Sequence, residues 1–208
     1  MRPESNLLIR LVAAGLFLLS GKLHAAGPLD AEAGLLLWFP DVDTSDISAI
    51  SADGQGSYAD LWWSNSWGLS ADYFEVDPDF GGLADTTSFS LDIKRRLISP
   101  TENNYIALGA GWEDNELVGG GSAEGPRLLV EARAGLGIVF AYGKLAWMPD
   151  LGDSGGFSDL EGTETDLGVS ITPFPLVNFR IGYRKFETDF NGGSFQADGY
   201  YLGAALHF

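Results

Sequence analysis

The sequence predicts an all-β chain that closes into an antiparallel transmembrane β-barrel of eight to ten strands, and three observations carry that prediction. First, the final segment Asp198–Phe208 alternates. Tyr200, Leu202, Ala204, Leu206 and Phe208 fall on one face of a strand, and Tyr201, Gly203, Ala205 and His207 on the other. Second, segments of about ten residues with the same alternation recur back along the chain, separated by turn signals. Third, glycine (28 residues) and aromatics (12%) are both abundant, which suits small lumen-facing positions and interfacial girdles better than a helical fold.

The N-terminal residues read as an export signal. Arg2 and Arg10 flank the start of the apolar run Leu11–Leu19, and Leu23-His24-Ala25-Ala26 supplies a small-residue cleavage site. The run is far shorter than the roughly 20 residues a spanning helix needs. Residues 1–26 are therefore expected to be a cleaved leader and residues 27–208 the barrel domain, exported to the outer membrane of a Gram-negative cell.

The strands follow in order. Ala31, Ala33, Leu35, Leu37 and Phe39 mark the first. Ser57–Trp63 is weakly patterned and is taken as the strand that makes the total ten, since single-chain barrels have an even number; eight strands is the alternative. Trp67, Leu69, Ala71 and Tyr73 share a face opposite Ser70 and Asp72, and Phe89, Leu91 and Ile93 one opposite Ser90, Asp92 and Lys94. The next apolar faces are Ile106 to Trp112, Leu128 to Ile138, Leu145 with Trp147, Thr165 to Ile171, and Phe179, Ile181 and Tyr183. Their opposite faces carry Gly109, Gly135, Gly137, Gly168, Ser170 and Gly182, small or polar as a narrow lumen requires.

Connections set the orientation. Short turns are expected at Ser99–Asn103, around Phe140 and at Pro173–Val177, on the periplasmic side. Long loops are expected outside, at Pro40–Gln55, Asp77–Asp85, Glu113–Gly125, Pro149–Gly162 and Glu187–Ala197. All five long stretches carry acidic residues and no Lys or Arg.

Composition excludes several functions. A formal net charge of −17 argues against a nucleic-acid partner, which needs a basic footprint. The absence of Cys removes disulfides, thiolate metal sites and a thiol nucleophile. Beyond the leader the single His is His207, beside the C-terminus and away from the loops, so no general base can be placed. The chain is read as a non-enzyme without a cofactor.

Three constellations remain. Parity turns Asp92, Lys94 and Arg96 inward from one strand, Glu131 and Arg133 from another, Glu164 and Asp166 from a third, and Arg180 and Arg184 from a fourth. Unpaired charges in a confined space are costly, so both signs inside predict a lumen plugged by paired side chains; a narrow selective passage is the alternative. The acidic loops include Asp41-x-Asp43-x-x-Asp46, with oxygen ligands of the kind Ca²⁺ or Mg²⁺ takes but without EF-hand spacing. They are read chiefly as a solvated face, with divalent cations as the minor reading. Trp67, Tyr73, Trp112, Trp147, Tyr183 and Phe208 are expected in the membrane-interface belts, and of the adjacent pair Trp62 and Trp63 one must turn inward or lie in a turn.

Two stretches carry a resemblance. The turn Pro173-x-Pro175-Leu176-x-Asn178-Phe179-Arg180 and the ending Asp198–Phe208 resemble uncharacterised outer-membrane proteins of bacteria with GlyGly-type C-terminal sorting, and more broadly the small OmpA-like and OmpW-like barrels. The resemblance implies insertion by the barrel-assembly machinery through the C-terminal strand, amid outer-membrane lipids including lipopolysaccharide. The expected role is structural or surface-interacting, and the alternative a porin-like channel or carrier for small solutes.

Overall fold

The computed structural model describes residues 29–45, 47–63, 66–78, 85–101, 103–116, 121–152 and 158–208. They form ten strands: β1 (Leu29–Thr44), β2 (Ile47–Trp63), β3 (Trp67–Pro78), β4 (Thr86–Thr101), β5 (Asn104–Glu116), β6 (Ser122–Leu136), β7 (Val139–Met148), β8 (Glu161–Phe174), β9 (Val177–Phe190) and β10 (Gly193–His207). Each strand pairs antiparallel with its sequence neighbours, and β1 closes the barrel against β10 with Leu37 opposite Leu202. The expected leader, residues 1–26, lies outside the described residues.

The side-chain distribution is inverted relative to a soluble sandwich. Leu37, Leu145, Leu167 and Leu202 are each more than half exposed on the outer wall, while Lys94, Glu113, Arg127 and Glu164 are sealed inside. Only a lipid-facing wall makes this arrangement favourable. In hydrocarbon every backbone N–H and C=O must also be paired within the protein, and closure leaves no free edge. This is a transmembrane β-barrel.

Ser57–Trp63 does belong to a strand, but that strand begins at Ile47. The expected long loops at Pro40–Gln55 and Glu187–Ala197 are instead tall hairpins: Asp41 pairs with Ser51, and Glu187 with Gln196. A tilted strand needs about 9–11 residues to cross a bilayer, whereas β2 has 17 and β1 has 16. The surplus projects beyond the apolar band at the end opposite Leu29 and Phe208, here called the distal end. Above the membrane the outer face need not be apolar, so Asp41, Asp43, Asp53, Asp77 and Asp189 occupy it although the ladder continues. The apolar outer face ends there while alternation and pairing continue, with Val42, Ala52 and Val76 buried inside and the acids outside.

Two smaller corrections concern turns. The β6–β7 turn is Gly137–Ile138, not at Phe140; Gly137 has φ +65°, and Phe140 is buried inside the barrel on β7. Gly137 therefore does not line the lumen. On β4 a register shift between Arg96 and Ile98 leaves both Leu97 and Ile98 exposed.

The distal end is capped from within. Trp38, Phe74, Phe186 and Phe195 form an apolar cluster in the lumen, joined by Leu151 and Leu160 from the β7–β8 connection. Leu151 N–H donates to Leu160 C=O at 2.9 Å, pinning the two ends of that connection together. Gly125 permits this course, since a Cβ there would stand 1.8 Å from the Asp150 carbonyl oxygen.

A charge network inside the barrel

The lumen is filled in two ways. Interior aromatics lie flat over glycines of the neighbouring strand: a Cβ on Gly68 would come 2.7 Å from the Trp62 ring, one on Gly168 2.4 Å from the Tyr142 hydroxyl, and one on Gly182 2.6 Å from the Tyr201 ring. The glycines keep the barrel narrow by letting rings lie against its wall. Charged side chains then meet across the remaining space.

Arg127, fully buried on β6, is the centre of the largest cluster. It donates from Nη1 to Glu113 Oε2 at 2.6 Å and from Nη2 to Glu164 Oε2 at 2.5 Å, and its Nε is 3.4 Å from Asp92 Oδ2. Ser88 donates to the other oxygen of Glu113 at 2.6 Å. Glu164 also receives Arg184 at 2.8 Å and Lys144 at 3.1 Å, so one carboxylate gathers three cations. Lys144 reaches on to Asp72 at 3.0 Å, and Asp166 accepts from Tyr201 at 2.5 Å. The Arg184 guanidinium lies 3.1 Å from the Phe74 centroid, joining this cluster to the distal apolar cap.

Two further clusters lie nearer the end that holds Leu29 and Phe208. Lys94 sits between Asp60 at 2.9 Å and Glu131 at 2.7 Å, with Tyr105 donating to Glu131. Glu32 collects Tyr58 at 2.7 Å, Asn178 at 2.7 Å and Arg180. Arg96 stacks on Trp62 at 4.0 Å and comes within 3.9 Å of Asp30. His207 Nε2 is 2.6 Å from the other Asp30 oxygen, at the rim of this end. Between the clusters lies a cavity of about 60 Å³, lined by Lys94, Glu131, Arg133, Lys144, Asp166 and Arg180 among others.

Asp92, Lys94, Arg96, Glu131, Arg133, Asp166, Arg180 and Arg184 all lie on inward-facing strand positions. Sequence reasoning missed Glu113, which it placed in an acidic loop, as well as Arg127, Lys144 and Glu32. Parity would have found them. On β5 the outward residues Ile106 to Trp112 are even-numbered, so 113 points inward; on β6 Leu128 and Val130 face out, so 127 points in.

The remaining sequence candidates lie outside the lumen. Asp41 and Asp43 point outward from β1, where Asp41 accepts from Ser51 at 3.1 Å, and Asp46 lies outside the described residues. Among the described residues no three carboxylate or imidazole groups converge as a metal site. Trp67, Trp112, Trp147 and Phe208 are exposed on the outer wall, and Tyr73 and Tyr183 half-buried on it; Trp62 is buried inside while Trp63 faces out. Tyr183 packs edge-on against Tyr200 at 5.4 Å and donates to Asp198 where the polar distal wall begins. At the other end Arg95 lies over Trp67 at 5.4 Å.

The architecture defines the class: it is the closed antiparallel fold of outer-membrane barrels. No family model matches the chain, and no curated protein does. Among solved structures it is similar to the outer membrane protease OmpT from Escherichia coli, with a TM-score of 0.55 at 9% identity over 88% of this chain and 93% of that one. Neisserial surface protein A gives 0.47 at 13% identity over 86% and 97%, and the outer membrane protein OprG from Pseudomonas aeruginosa 0.39 at 14% over 89% and 97%.

Proposed function

We propose that this chain is an integral outer-membrane barrel of a Gram-negative cell, with its lumen closed by its own side chains and a structural or surface-interacting role. The observation that carries the reading is the stacking of two unlike barriers. The charge cluster reaches across the lumen from Arg127 and Glu164 through Lys144 to Asp72 on β3, and the apolar cap of Trp38, Phe74, Phe186 and Phe195 packs against it where Arg184 meets Phe74. A solute would have to break charge-assisted hydrogen bonds in a low-dielectric space and then cross an apolar layer. The acidic outer face of the tall hairpins is the part offered to the surroundings, lipopolysaccharide and its divalent counter-ions included. Insertion follows from the terminal strand through the assembly machinery. The narrower kinship to the proteins of GlyGly-sorting bacteria rests on the Pro173–Arg180 turn and that strand alone.

Single-channel recording in a planar bilayer tests the closed lumen. Purified barrels are expected to insert silently, and steady unitary openings would overturn the reading in favour of a narrow small-solute passage. The cavity of about 60 Å³ is the feature that favours that second reading. A non-enzymatic role is supported by the position of His207, tied to Asp30 at the end opposite the tall hairpins. The protein is accordingly expected to leave a casein substrate uncut.

A further inference from the structure

One cation stands on the wall that faces lipid. Between the belt of Tyr73, Trp112, Trp147 and Tyr183 and the end that holds Leu29 and Phe208, Arg95 on β4 is the one outward-facing charged side chain among the described residues. Apolar groups border it on four sides: Ile93 and Leu97 along its own strand, Trp67 directly opposite on β3 and Leu108 directly opposite on β5. All four are more than a third exposed on the outer wall. Trp63 continues the row on β2, in register with Trp67. The Arg95 guanidinium lies over the Trp67 ring at 5.4 Å, and among the described residues no carboxylate pairs with it. The arginines of the lumen differ in this respect, since carboxylates line the space they share.

The chemistry of this position is constrained. A guanidinium does not deprotonate in proteins, so Arg95 carries its charge at the lipid-facing wall. Such a side chain runs its stem along apolar surface and takes its head to the headgroup level. Indole rings settle at that same level, with the ring body against hydrocarbon and the N–H toward polar groups. Trp63 and Trp67 therefore mark the depth to which Arg95 extends. The anion found there is the lipid phosphate, and the planar fork of an arginine fits two phosphate oxygens at once. With Trp67 over one face of the guanidinium, its donor edge is left for that group. No outward acid of the described residues stands in this part of the wall to receive the ammonium of a zwitterionic headgroup, so an anionic headgroup fits best. The short turns set this end on the periplasmic side, against the phospholipid leaflet.

We propose that Arg95, Trp67 and Trp63 form a binding site for the phosphate of an anionic phospholipid in the leaflet at the end that holds Leu29 and Phe208. Arg95 grips the phosphate, and the two indoles hold the glycerol region and the first methylenes of the acyl chains. The site rests on the membrane-embedded barrel and not on a closed lumen: conductance tests the lumen, and lipid retention tests Arg95.

The experiment is native mass spectrometry of the detergent-purified barrel titrated separately with phosphatidylglycerol, phosphatidylethanolamine and lipid A. The wild type is expected to retain one phosphatidylglycerol in preference to the other two. Arg95→Gln is expected to lose that adduct, and Lys185→Gln, which removes the cation of the polar distal wall, to keep it. Equal retention of phosphatidylethanolamine, or an adduct unchanged in a heat-modifiable Arg95→Gln barrel, would overturn the proposal. Preferred retention of lipid A would assign the site to the opposite leaflet and overturn it as well. Should Arg95→Gln fail to fold, wild-type crystals grown with phosphatidylglycerol decide: phosphate density at the Arg95 guanidinium supports the site, and lipid density only elsewhere or none sinks it.

Discussion

Arg127 and Glu164 meet at 2.5 Å inside the barrel although they stand 37 residues apart, on strands β6 and β8 that are not hydrogen-bonded neighbours. Both side chains are sealed from solvent. Their contact therefore bridges over β7 and ties the wall to itself through the interior.

Glu164 is the node to remove. Glu164→Ala would leave Arg127, Arg184 and Lys144 short of one carboxylate in a buried space, and breaking a buried ion pair from one side costs about 3–5 kcal/mol. Urea unfolding of the detergent-solubilised barrel, followed by tryptophan fluorescence, should show that loss. A change below about 1 kcal/mol would mean the network is dispensable, as surface pairs are.

Trp62 and Trp63 are adjacent but opposite. Trp62 is 4% exposed inside the barrel and Trp63 36% exposed on its outer wall. Trp62→Ala is expected to cost about 3–5 kcal/mol as a cavity mutation. Brominated lipid should quench Trp63 and spare Trp62, measured in variants with the other tryptophans replaced by Phe. Equal quenching of both would contradict the inward orientation.

The outer wall should show depth dependence. Leu37→Arg places a charge in the apolar band and is expected to cost about 2–4 kcal/mol, whereas Asp43→Lys on the projecting hairpin should change stability by less than about 1 kcal/mol. Heat-modifiability on cold SDS gels, scored as the temperature at which the folded band disappears, would rank the two. The reverse ranking would displace the membrane from its assigned level.

Gly125 controls the course of the β7–β8 connection. Gly125→Val drives side-chain atoms into the Asp150 carbonyl, so Leu151 and Leu160 must withdraw from the cap. Limited proteolysis should then cut within residues 149–160 faster than in the wild type, with the rest of the barrel intact. Unchanged cleavage would show that the close approach is not needed.

The strands that cross the membrane were legible because lipid on one side and lumen on the other force a two-residue period. Leu35, Leu37 and Phe39 announce β1 as plainly as Leu202, Ala204 and Leu206 announce β10. The projecting parts of β1, β2, β9 and β10 were not legible, since Asp41, Asp43 and Glu187 face water and resemble loop residues in composition. Glu113 was misplaced for the same reason. An acid beside Asp114 reads as part of a solvated run until the parity of β5 turns it inward.

By itself the sequence determined the two-residue alternation of apolar and small or polar side chains along the membrane-crossing strands, and with that the barrel class. Only the tertiary structure decided which charges meet. Partners such as Arg127 with Glu164, or Lys144 with Asp72, lie on strands brought together by the closure and register of the whole sheet. Local alternation fixes the direction of a side chain but not the strand it will face.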